Sequence, residues 1–408
     1  MEQIVGRYCK DCVVYSDTLE SDARSIIYGF VNHPMFKGSH IRIMPDVHAG
    51  KDIVVGFTAP FNNAVNPDHI GGDIGCTEST TITNIPVDPS LFARLESRIR
   101  QEVKFGMTSQ ERTRFKSSEL YAHLKQRIAE ARQMWSEYVD NADVSERGID
   151  HLLSRVEMSG ERFFHQLGTV GSGNHFVEIG ATPEGTFAIT VHCGSRNFGQ
   201  NVWKYWHKVA HNPTISHPAV GYLDGENMKG YITDMVITQA YAEFNHIIIH
   251  RLIREVFMEV CGSFEVVDKV ITTHNYIDFK QRMMRKGAVA SIAGEKLVIP
   301  FNMRDGLILC YGKSNPEWNY SAPHGAGRLM SRAMAKELID MNEYEESMKG
   351  IYSTSVQRDT IDESPMVYKD SMEILEAIND TVDVICFIKP VINMKSCSHD
   401  LVADEEQD

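Results

Sequence analysis

The stretch Gly71-Gly72-Asp73-Ile74-Gly75-Cys76 places a carboxylate and a thiol three residues apart between glycines. Glycine lets the backbone adopt positive φ values and approach a ligand closely. Aspartate and a deprotonated cysteine are both metal ligands. Alone, such a stretch is more typical of a tight turn with a buried cysteine. It indicates a metal site here because histidines flanked by glycine or asparagine recur downstream, and one site can collect them.

Three of these histidines lie at the ends of predicted β-strands, where loops often carry chemistry. His175 follows a glycine-rich turn and precedes an alternating strand, whereas His192 and His274 each end an apolar run. A lone histidine in such a place is more often a satisfied core residue, but three in the same context favour a metal site. The candidate ligands are therefore Asp73, Cys76, His175, His192 and His274.

Five ligands exceed the number that one closed tetrahedral zinc site needs. The pattern therefore favours two metal ions that share a ligand, and the Cys76 thiolate is the natural choice because sulfur can bridge. Softness rules favour zinc or iron for cysteine and histidine ligands, and manganese for oxygen ligands. Ligand chemistry alone would thus predict zinc.

The length of 408 residues gives a first expectation of about two to three domains. The candidate site residues span positions 73–324, however, so we expect one catalytic domain over residues 1–395, with a helical lobe at 88–158. An acidic tail at 396–408, with Asp404 to Asp408 at its end, is predicted to be disordered. The net charge of −14 argues against general coating by polyanions, but not against a local basic channel.

The eight cysteines form no regular framework, and the sequence shows no signal peptide and no apolar run of about 18 residues. These features predict a protein of the reducing cytoplasm without a membrane span. Cys9-x-x-Cys12 has no second pair, which favours two incidental thiols over a redox or zinc role.

Hydrophobic periodicity predicts an α+β fold, with mixed sheets that carry the ligands at strand ends and helices outside. In residues 88–158, arginines favour a solvated helix face over an RNA-binding surface. The other predicted elements are a helix from Ser21 or Asp22 to Phe30, a strand at 41–44 ended by Pro45, a polar turn at 46–51, a core helix at 231–260, a basic turn at 285–288 and a helix carrying Arg332.

These stretches together resemble the RtcB family of RNA-splicing ligases, in family order over nearly the whole chain. The matching strings are MPDVHAGK (44–51), GGDIGC (71–76), GTVGSGNHFVEI (168–179), HCGSR (192–196), HNY (274–276), RKGAVA (285–290), HGAGR (324–328), DESPMVYKD (362–370) and VINMK ending at Lys395.

The resemblance implies an enzyme that seals RNA ends bearing a 3′-phosphate or 2′,3′-cyclic phosphate to a 5′-hydroxyl, using GTP and two Mn²⁺ ions. It implies that the five ligands named above hold the metals and that His324 becomes guanylylated. Asp46 would fix the tautomer of a metal-bound or nucleophilic histidine. The residues implied for nucleotide binding are Asn174, Glu178, Arg285, Lys286, Gly325, Gly327, Arg328, Tyr368 and Lys395, with Glu178 at the guanine edge.

The chain also departs from the family pattern. The usual PGSMG loop is here Pro300–Gly306, the usual HSGSRG is His192–Asn197, an Asn-Arg pair becomes Asn245-His246, Pro323 replaces a serine, and thirteen residues follow Lys395. The departures suggest a divergent paralogue that repairs cleaved RNA rather than splicing tRNA. An accessory activating or RNA-repair partner is a separate expectation.

Two alternatives belong to other functional classes. A metal-dependent RNA phosphoesterase would open cyclic phosphates without GTP and without ligation. A binding module would have kept the fold and lost the chemistry. Retention of His324 together with all five metal ligands argues against both.

Overall fold

The computed structural model describes residues 1–50, 53–212, 221–398 and 400, and its strands and helices alternate irregularly along the chain. The strands are β1 (Glu2–Gln3), β2 (Asp11–Val14), β3 (His40–His48), β4 (Val55–Pro60), β5 (Thr77–Pro86), β6 (Phe176–Ala181), β7 (Thr186–Cys193), β8 (Val266–Thr273), β9 (Tyr276–Asp278), β10 (Met283–Lys286), β11 (Ala288–Ala290), β12 (Lys296–Asn302), β13 (Gly306–Gly312), β14 (Ser321–Pro323) and β15 (Val382–Met394). The helices are α1 (Ser21–Val31), α2 (Phe92–Glu102), α3 (Ser117–Trp135), α4 (Glu146–Arg155), α5 (Gly160–His165), α6 (Arg196–Ala210), α7 (Gly225–Cys261), α8 (Arg332–Leu338), α9 (Met341–Ser347) and α10 (Ser371–Ala377).

The strands form three sheets, which confirms the predicted α+β class. A six-stranded sheet has the order β1-β2-β3-β4-β10-β9, and a short pair joins β11 to β14. The β2–β3 pair is parallel and its neighbours are antiparallel, so this sheet is mixed. The third sheet has the order β12-β13-β15-β6-β7-β5-β8. This sheet curls so that its two edge strands meet. The backbone amide of Val298 on β12 donates to Thr272 Oγ1 on β8 at 3.0 Å and links the two edges.

Helices pack outside the sheets, as predicted. The core helix is confirmed and starts earlier than expected, since α7 runs from Gly225 to Cys261. In α3, the apolar positions with three-to-four spacing are buried. Six of the arginines in 88–158 pair with carboxylates of the described residues, as expected for a folded surface: Arg94, Arg98, Arg100, Arg114, Arg127 and Arg155.

Three local predictions were wrong. Pro45 does not end its strand, because β3 continues to His48 and Pro45 lies where the pairing of β3 with β4 shifts register, between Ile43 and His48. A proline is tolerated there because no ladder hydrogen bond is needed from its nitrogen. The basic pair Arg285-Lys286 lies in β10 rather than in a turn. Neither Ser21 nor Asp22 caps α1, whose N-cap is Glu20.

Some predictions fall outside the described residues. These are Lys51 at the end of the 44–51 string and the acidic tail from Asp404 to Asp408. Of the segment after Lys395, Cys397 is buried and Asp400 pairs with Arg100 at 2.9 Å. None of the described helices combines the length and apolarity that crossing a membrane requires.

Candidate active site

The candidate metal ligands lie together because their strands are neighbours in the curled sheet. β5 pairs with β7 on one side and β8 on the other, so that Glu78 is opposite both His192 and Thr272. The backbone amide of His274 donates to the carbonyl of Cys76 at 2.8 Å, which extends the β5–β8 pairing. On β6, Phe176 is opposite His192, which places His175 beside the same strand ends.

Two groups of metal-ligating side chains result, and both contain Cys76. One consists of Cys76, His192 and His274, and the other of Asp73, Cys76 and His175. Cys76 Sγ lies 3.1 Å from His192 Nε2 and 3.6 Å from His175 Nε2. Asp73 Oδ2 lies 2.8 Å from His175 Nε2. The five side chains thus have the arrangement expected for two ions that share one thiolate.

The protonation states of these groups suit a cation. His175 Nδ1 lies 2.9 Å from the Val170 carbonyl, and donation to that oxygen leaves the Nε2 lone pair toward Asp73 and Cys76. Burial and the neighbouring imidazoles lower the pKa of His192, so that it stays neutral. Burial would raise the pKa of Asp73, but its contacts with His175 and Cys76 and the charge of Arg196 hold it below its usual range.

Gly194 makes room for the carboxylate of this site. A Cβ atom at Gly194 would lie 2.2 Å from Asp73 Oδ1. The backbone amide of the next residue, Ser195, donates to the same oxygen at 3.2 Å. The glycine in the 192–196 string is therefore required for the position of Asp73, although three strands separate the two residues in sequence.

His324 lies beside this centre and is fixed by Asp46. Its ring is 4.7 Å from that of His274, centroid to centroid. Asp46 Oδ2 lies 2.6 Å from His324 Nδ1 and accepts the His324 backbone amide at 3.2 Å. Burial would lower the pKa of His324, but the hydrogen bond and charge of Asp46 raise it above its ordinary value. Because Asp46 engages Nδ1, Nε2 is the ring nitrogen left for other contacts.

Gly327 allows the backbone after His324 to lie against β3. Its φ is +79°, and a Cβ atom there would be 2.4 Å from the Asp46 carbonyl oxygen. Any other residue would push the 324–328 turn away from Asp46. The glycine therefore maintains the contact between the histidine and its carboxylate.

A basic cluster on the other side of the cavity is organised by Glu363. This buried carboxylate pairs with Lys395 at 3.0 Å, Arg328 at 3.2 Å and Arg332 at 2.6 Å, and accepts the Tyr368 hydroxyl at 2.6 Å. Burial would raise the pKa of Glu363, but the adjacent cations hold it at about 2. Arg332 also pairs with Asp362 at 2.7 Å, so three cations face two carboxylates, and the remaining positive charge suits a phosphate group.

Glu178 forms the third part of the cavity wall. It pairs with Asn393 of β15 in the sheet register, and Asn393 Nδ2 donates to its Oε2 at 2.9 Å. Burial raises the pKa of Glu178 to about 8, although the Asn393 hydrogen bond and the Lys395 charge oppose this. Glu178 Oε1 and Asn393 Oδ1 are buried and have no hydrogen-bond partner among the residues that the structure describes. The pair thus presents unused acceptors.

The three parts enclose one cavity of about 360 Å³. Thirteen of the sixteen residues implied by the resemblance line it, and Asp46 and His175 lie directly behind this wall. The lining residues are Asp73, Cys76, Asn174, Glu178, His192, His274, Lys286, His324, Gly325, Gly327, Arg328, Tyr368 and Lys395. The divergent segment at 300–306 covers the end of β12, the turn at 303–305 and the first residue of β13, and Phe301 and Met303 contribute to the wall.

Arg285 is the one implied residue that the structure does not bring to the cavity. Its side chain is fully buried, and its guanidinium donates to Asp278 at 2.6 Å, to Gln281 at 2.6 Å and to Ser321 at 2.9 Å. Because β10 alternates its side chains, Lys286 faces the cavity while Arg285 faces the opposite side. This geometry suits support of β10 rather than contact with a ligand.

Four residues of the site were missed by the sequence reasoning: His48, Glu78, Glu363 and Asn393. Glu78 had a signal, because it follows Cys76 by two positions at the start of a strand and therefore points to the same face. Glu363 had a weaker one, as the second acidic residue of the 362–370 string. The residues next to His48 and Asn393 in the sequence are polar or mixed and give no specific prediction of a site.

Two departures from the family pattern contact each other behind the metal ligands. Cys193 Sγ lies 3.6 Å from His246 Nε2, and its carbonyl lies 2.9 Å from the same nitrogen. Asn245 Nδ2 donates to Cys193 Sγ at 3.2 Å. The changes at 193 and 246 therefore form one buried unit.

Comparison with known proteins agrees with the resemblance. Residues 30–396 match the family model described as tRNA-splicing ligase RtcB. The chain is 28% identical to the RNA-splicing ligase RtcB of Escherichia coli K12, over 92% of this chain and 95% of that protein. It is 26% identical to the tRNA-splicing ligase RtcB of Archaeoglobus fulgidus, over 83% of each chain, and 27% identical to that of Pyrobaculum aerophilum, over 86% of each.

Proposed function

The chain belongs to the RtcB family, and on that premise we propose that it is an RNA ligase dependent on GTP and two Mn²⁺ ions. It would join RNA 3′-phosphate or 2′,3′-cyclic phosphate ends to 5′-hydroxyl ends, in RNA repair or tRNA splicing. The observation that carries the proposal is that His324 shares one cavity with two ligand groups joined through Cys76. A histidine nucleophile beside two cation sites suits nucleotidyl transfer.

The ligand set supports a pair of divalent cations. Cys76 belongs to both groups, His175 is held in the tautomer that frees Nε2, and Asp73 adds an oxygen ligand. When bound, such ions neutralise phosphate charge and hold the attacking and leaving groups in line. One ion would be held by Asp73, Cys76 and His175, and the other by Cys76, His192 and His274.

In the first step, His324 Nε2 attacks the α-phosphorus of GTP. A phosphorus–nitrogen bond forms, the bond to the pyrophosphate oxygen breaks, and pyrophosphate leaves. Asp46 keeps the proton on Nδ1, so that the Nε2 lone pair is available, and stabilises the positive charge that develops on the ring. Splitting one difficult displacement into two easier ones is the advantage of a covalent adduct.

The remaining side chains would hold the nucleotide. Glu178 and Asn393 offer acceptors to the N1–H and N2–H groups of guanine. Lys286, Arg328 and Lys395 line the same cavity and would bind phosphate or ribose oxygens. Gly325 and Gly327 let the backbone beside His324 approach a phosphate closely.

Two transfers complete the reaction on RNA. The RNA 3′-phosphate attacks the adduct, so that GMP passes to RNA and His324 is released; a cyclic phosphate is first hydrolysed to the 3′-phosphate. The 5′-hydroxyl then attacks this activated phosphate, a 3′,5′-phosphodiester forms and GMP leaves. We also propose that residues 1–395 form the catalytic unit, because site residues come from positions 46 to 395.

The test is transfer of label from α-labelled GTP to the protein in the presence of Mn²⁺, followed by denaturing electrophoresis. Wild type should carry a label that is stable to alkali and lost in acid, as expected for a phosphoramidate. His324→Ala and His324→Asn should carry none, whereas His151→Ala, at an exposed position of α4, should match wild type. Absence of label with every nucleotide and metal would contradict the proposal and favour the phosphoesterase, which needs no GTP.

A further inference from the structure

A buried carboxylate beside the metal ligands has no role in the reaction described above. Glu78 is the second residue of β5, two positions after Cys76, and both side chains therefore point to the same face of the strand. It lines the cavity and its side chain is 0% exposed. Its position is set by the sheet itself, since Glu78 lies opposite His192 on one side and Thr272 on the other.

Both oxygens of Glu78 face nitrogens of two candidate ligands. Oε1 lies 3.3 Å from His192 Nε2, and Oε2 lies 3.3 Å from His274 Nδ1. No hydrogen bond within the described part of the chain satisfies either oxygen, and His274 Nδ1 also lacks one. A buried carboxylate whose oxygens have neither a hydrogen-bond donor nor a cation is unfavourable. The arrangement is thus incomplete in the protein chain alone.

A cation held by Cys76, His192 and His274 would supply the missing positive charge. Glu78 is close enough to His274 to fix its orientation, and donation from His274 Nδ1 to Oε2 would turn the Nε2 lone pair toward the ion. At His192, Glu78 Oε1 lies beside Nε2, the nitrogen that also faces Cys76, and there it would add negative charge next to the ion. Carboxylates that orient metal-bound histidines in this way are a recurrent feature of metal sites. The second negative charge beside the thiolate would also offset the charge of a divalent ion.

We propose that Glu78 is a positioning and charge-balancing residue of the Cys76–His192–His274 metal centre. Its presence makes this centre more favourable for a hard ion such as Mn²⁺ than cysteine and histidine ligands alone would be. The inference rests on the metal centre of the proposed function, but not on GTP or RNA. We expect Glu78 to affect metal binding at this centre more strongly than at the centre formed by Asp73, Cys76 and His175.

Metal binding by the purified full-length chain, stripped of metal, tests the proposal directly. Co²⁺ is a suitable probe because thiolate ligation gives an intense near-ultraviolet band and its visible bands report coordination. We expect wild type to bind two Co²⁺ ions. Glu78→Gln should keep the thiolate band and lose about 10–100-fold in affinity at one of the two sites. Glu78→Asp should fall between them, and Glu178→Gln, a buried carboxylate elsewhere in the same cavity, should bind as wild type does.

Thermal unfolding gives a second test. The difference in melting temperature between Glu78→Gln and wild type should change sign when metal is added, which a merely structural role would not produce. Without metal, Glu78→Gln should melt at a higher temperature than wild type, because it removes an unpaired buried charge. With Mn²⁺ the order should reverse. Competition between ions should show a lower preference for Mn²⁺ relative to Zn²⁺ in the variant.

The outcomes separate the two proposals. Two ions bound with wild-type affinity, spectrum and ion preference in Glu78→Gln would overturn the role of Glu78 and leave the ligase proposal intact. Absence of any thiolate band in wild type would overturn the metal centre, and with it both proposals. A Glu78→Gln protein that melts lower than wild type in both states would also overturn the role of Glu78, since the residue would then be a structural support.

Discussion

Asn393 Nδ2 donates a 2.9 Å hydrogen bond to Glu178 Oε2, while Glu178 Oε1 and Asn393 Oδ1 are buried without a partner in the described part of the chain. The two residues come from adjacent strands, β15 and β6, so their separation is set by the sheet rather than by a loop. Two unused acceptors at a fixed separation match a ligand edge that only donates, as the N1–H and N2–H groups of guanine do. Adenine presents an acceptor at N1 and does not fit.

Guanine selectivity should therefore depend on both residues. Glu178→Gln and Asn393→Ala should each weaken GTP binding by about 10–100-fold, as expected for a lost hydrogen bond to a charged group or a polar partner left unpaired. The preference for GTP over ATP in adduct formation should fall in parallel. Competition labelling measures this, and Asn379→Ala on the surface is the control. Undiminished selectivity in both site variants would place the base elsewhere.

Nucleotide binding should strengthen as pH rises toward about 8. Burial raises the pKa of Glu178 from 4.5 to about 8, so the free protein carries a proton there at neutral pH. Guanine needs the ionised form, and this proton must leave on binding. GTP affinity should thus rise with pH between 5 and 8, by at most about tenfold per pH unit, and level off above. Calorimetry across this range checks the sign, and Glu178→Gln should abolish the dependence.

Adduct formation should require the Asp46 carboxylate. Asp46→Asn keeps the shape of the side chain but loses the charge that holds the proton on His324 Nδ1. We expect the single-turnover rate of adduct formation to fall by about 10²–10⁴-fold, within the range of acid–base catalysis. GTP affinity should stay near that of wild type because Asp46 lies behind the cavity wall. A rate equal to wild type would show that His324 is oriented by other contacts.

Removal of the Glu363 charge should destabilise the fold around the basic cluster. Glu363→Gln leaves Lys395, Arg328 and Arg332 without their shared carboxylate, and breaking buried pairs of this kind costs about 3–5 kcal/mol. Urea unfolding measures the loss. Glu346→Gln breaks the exposed pair with Lys349 and should change the free energy of unfolding by less than about 1 kcal/mol. Equal effects of the two changes would contradict the central position of Glu363.

Cys76 should be protected by metal. Burial and the charges of Asp73 and Glu78 raise the pKa of its thiol in the metal-free chain, so a bound ion must displace the proton. Alkylation of Cys76 by iodoacetamide, followed by peptide mass spectrometry, should be slower with Mn²⁺ than without. The half-buried Cys386, on β15, should react at the same rate in both states. Equal rates at Cys76 with and without metal would argue against ligation.

The sequence predicted which side chains come together more accurately than it predicted where the strands that carry them end. His175, His192 and His274 were recognised because each stands where an apolar run meets glycine or asparagine, and those contexts are local. Their convergence followed from sheet order, which no local pattern encodes. The end of β3 was predicted wrongly because the local pattern was misleading. A proline usually stops a strand, but Pro45 lies where the pairing of β3 with β4 shifts register, and the strand continues.

Charge patterns were the hardest to interpret from sequence. Arg285 and Lys286 look equivalent in the chain, yet strand alternation sends one into the protein interior and the other into the cavity. Glu78 and Glu363 had only local signals in the sequence, and nothing in a single sequence shows that a carboxylate will be buried. Their importance depends on long-range partners, and those appear only when the sheets are assembled.

The placement of the ligands on hydrogen-bonded strands also determines where the protein can tolerate insertions and deletions. A single-residue insertion within β5 or β7 would turn Cys76 or His192 to the opposite face of the sheet, and no side-chain substitution could restore it. Insertions in the segments between those strands would leave the pairing intact. Lineages of this enzyme should therefore vary freely in the lengths of connecting segments while keeping the strand lengths fixed, even after most residues have been exchanged.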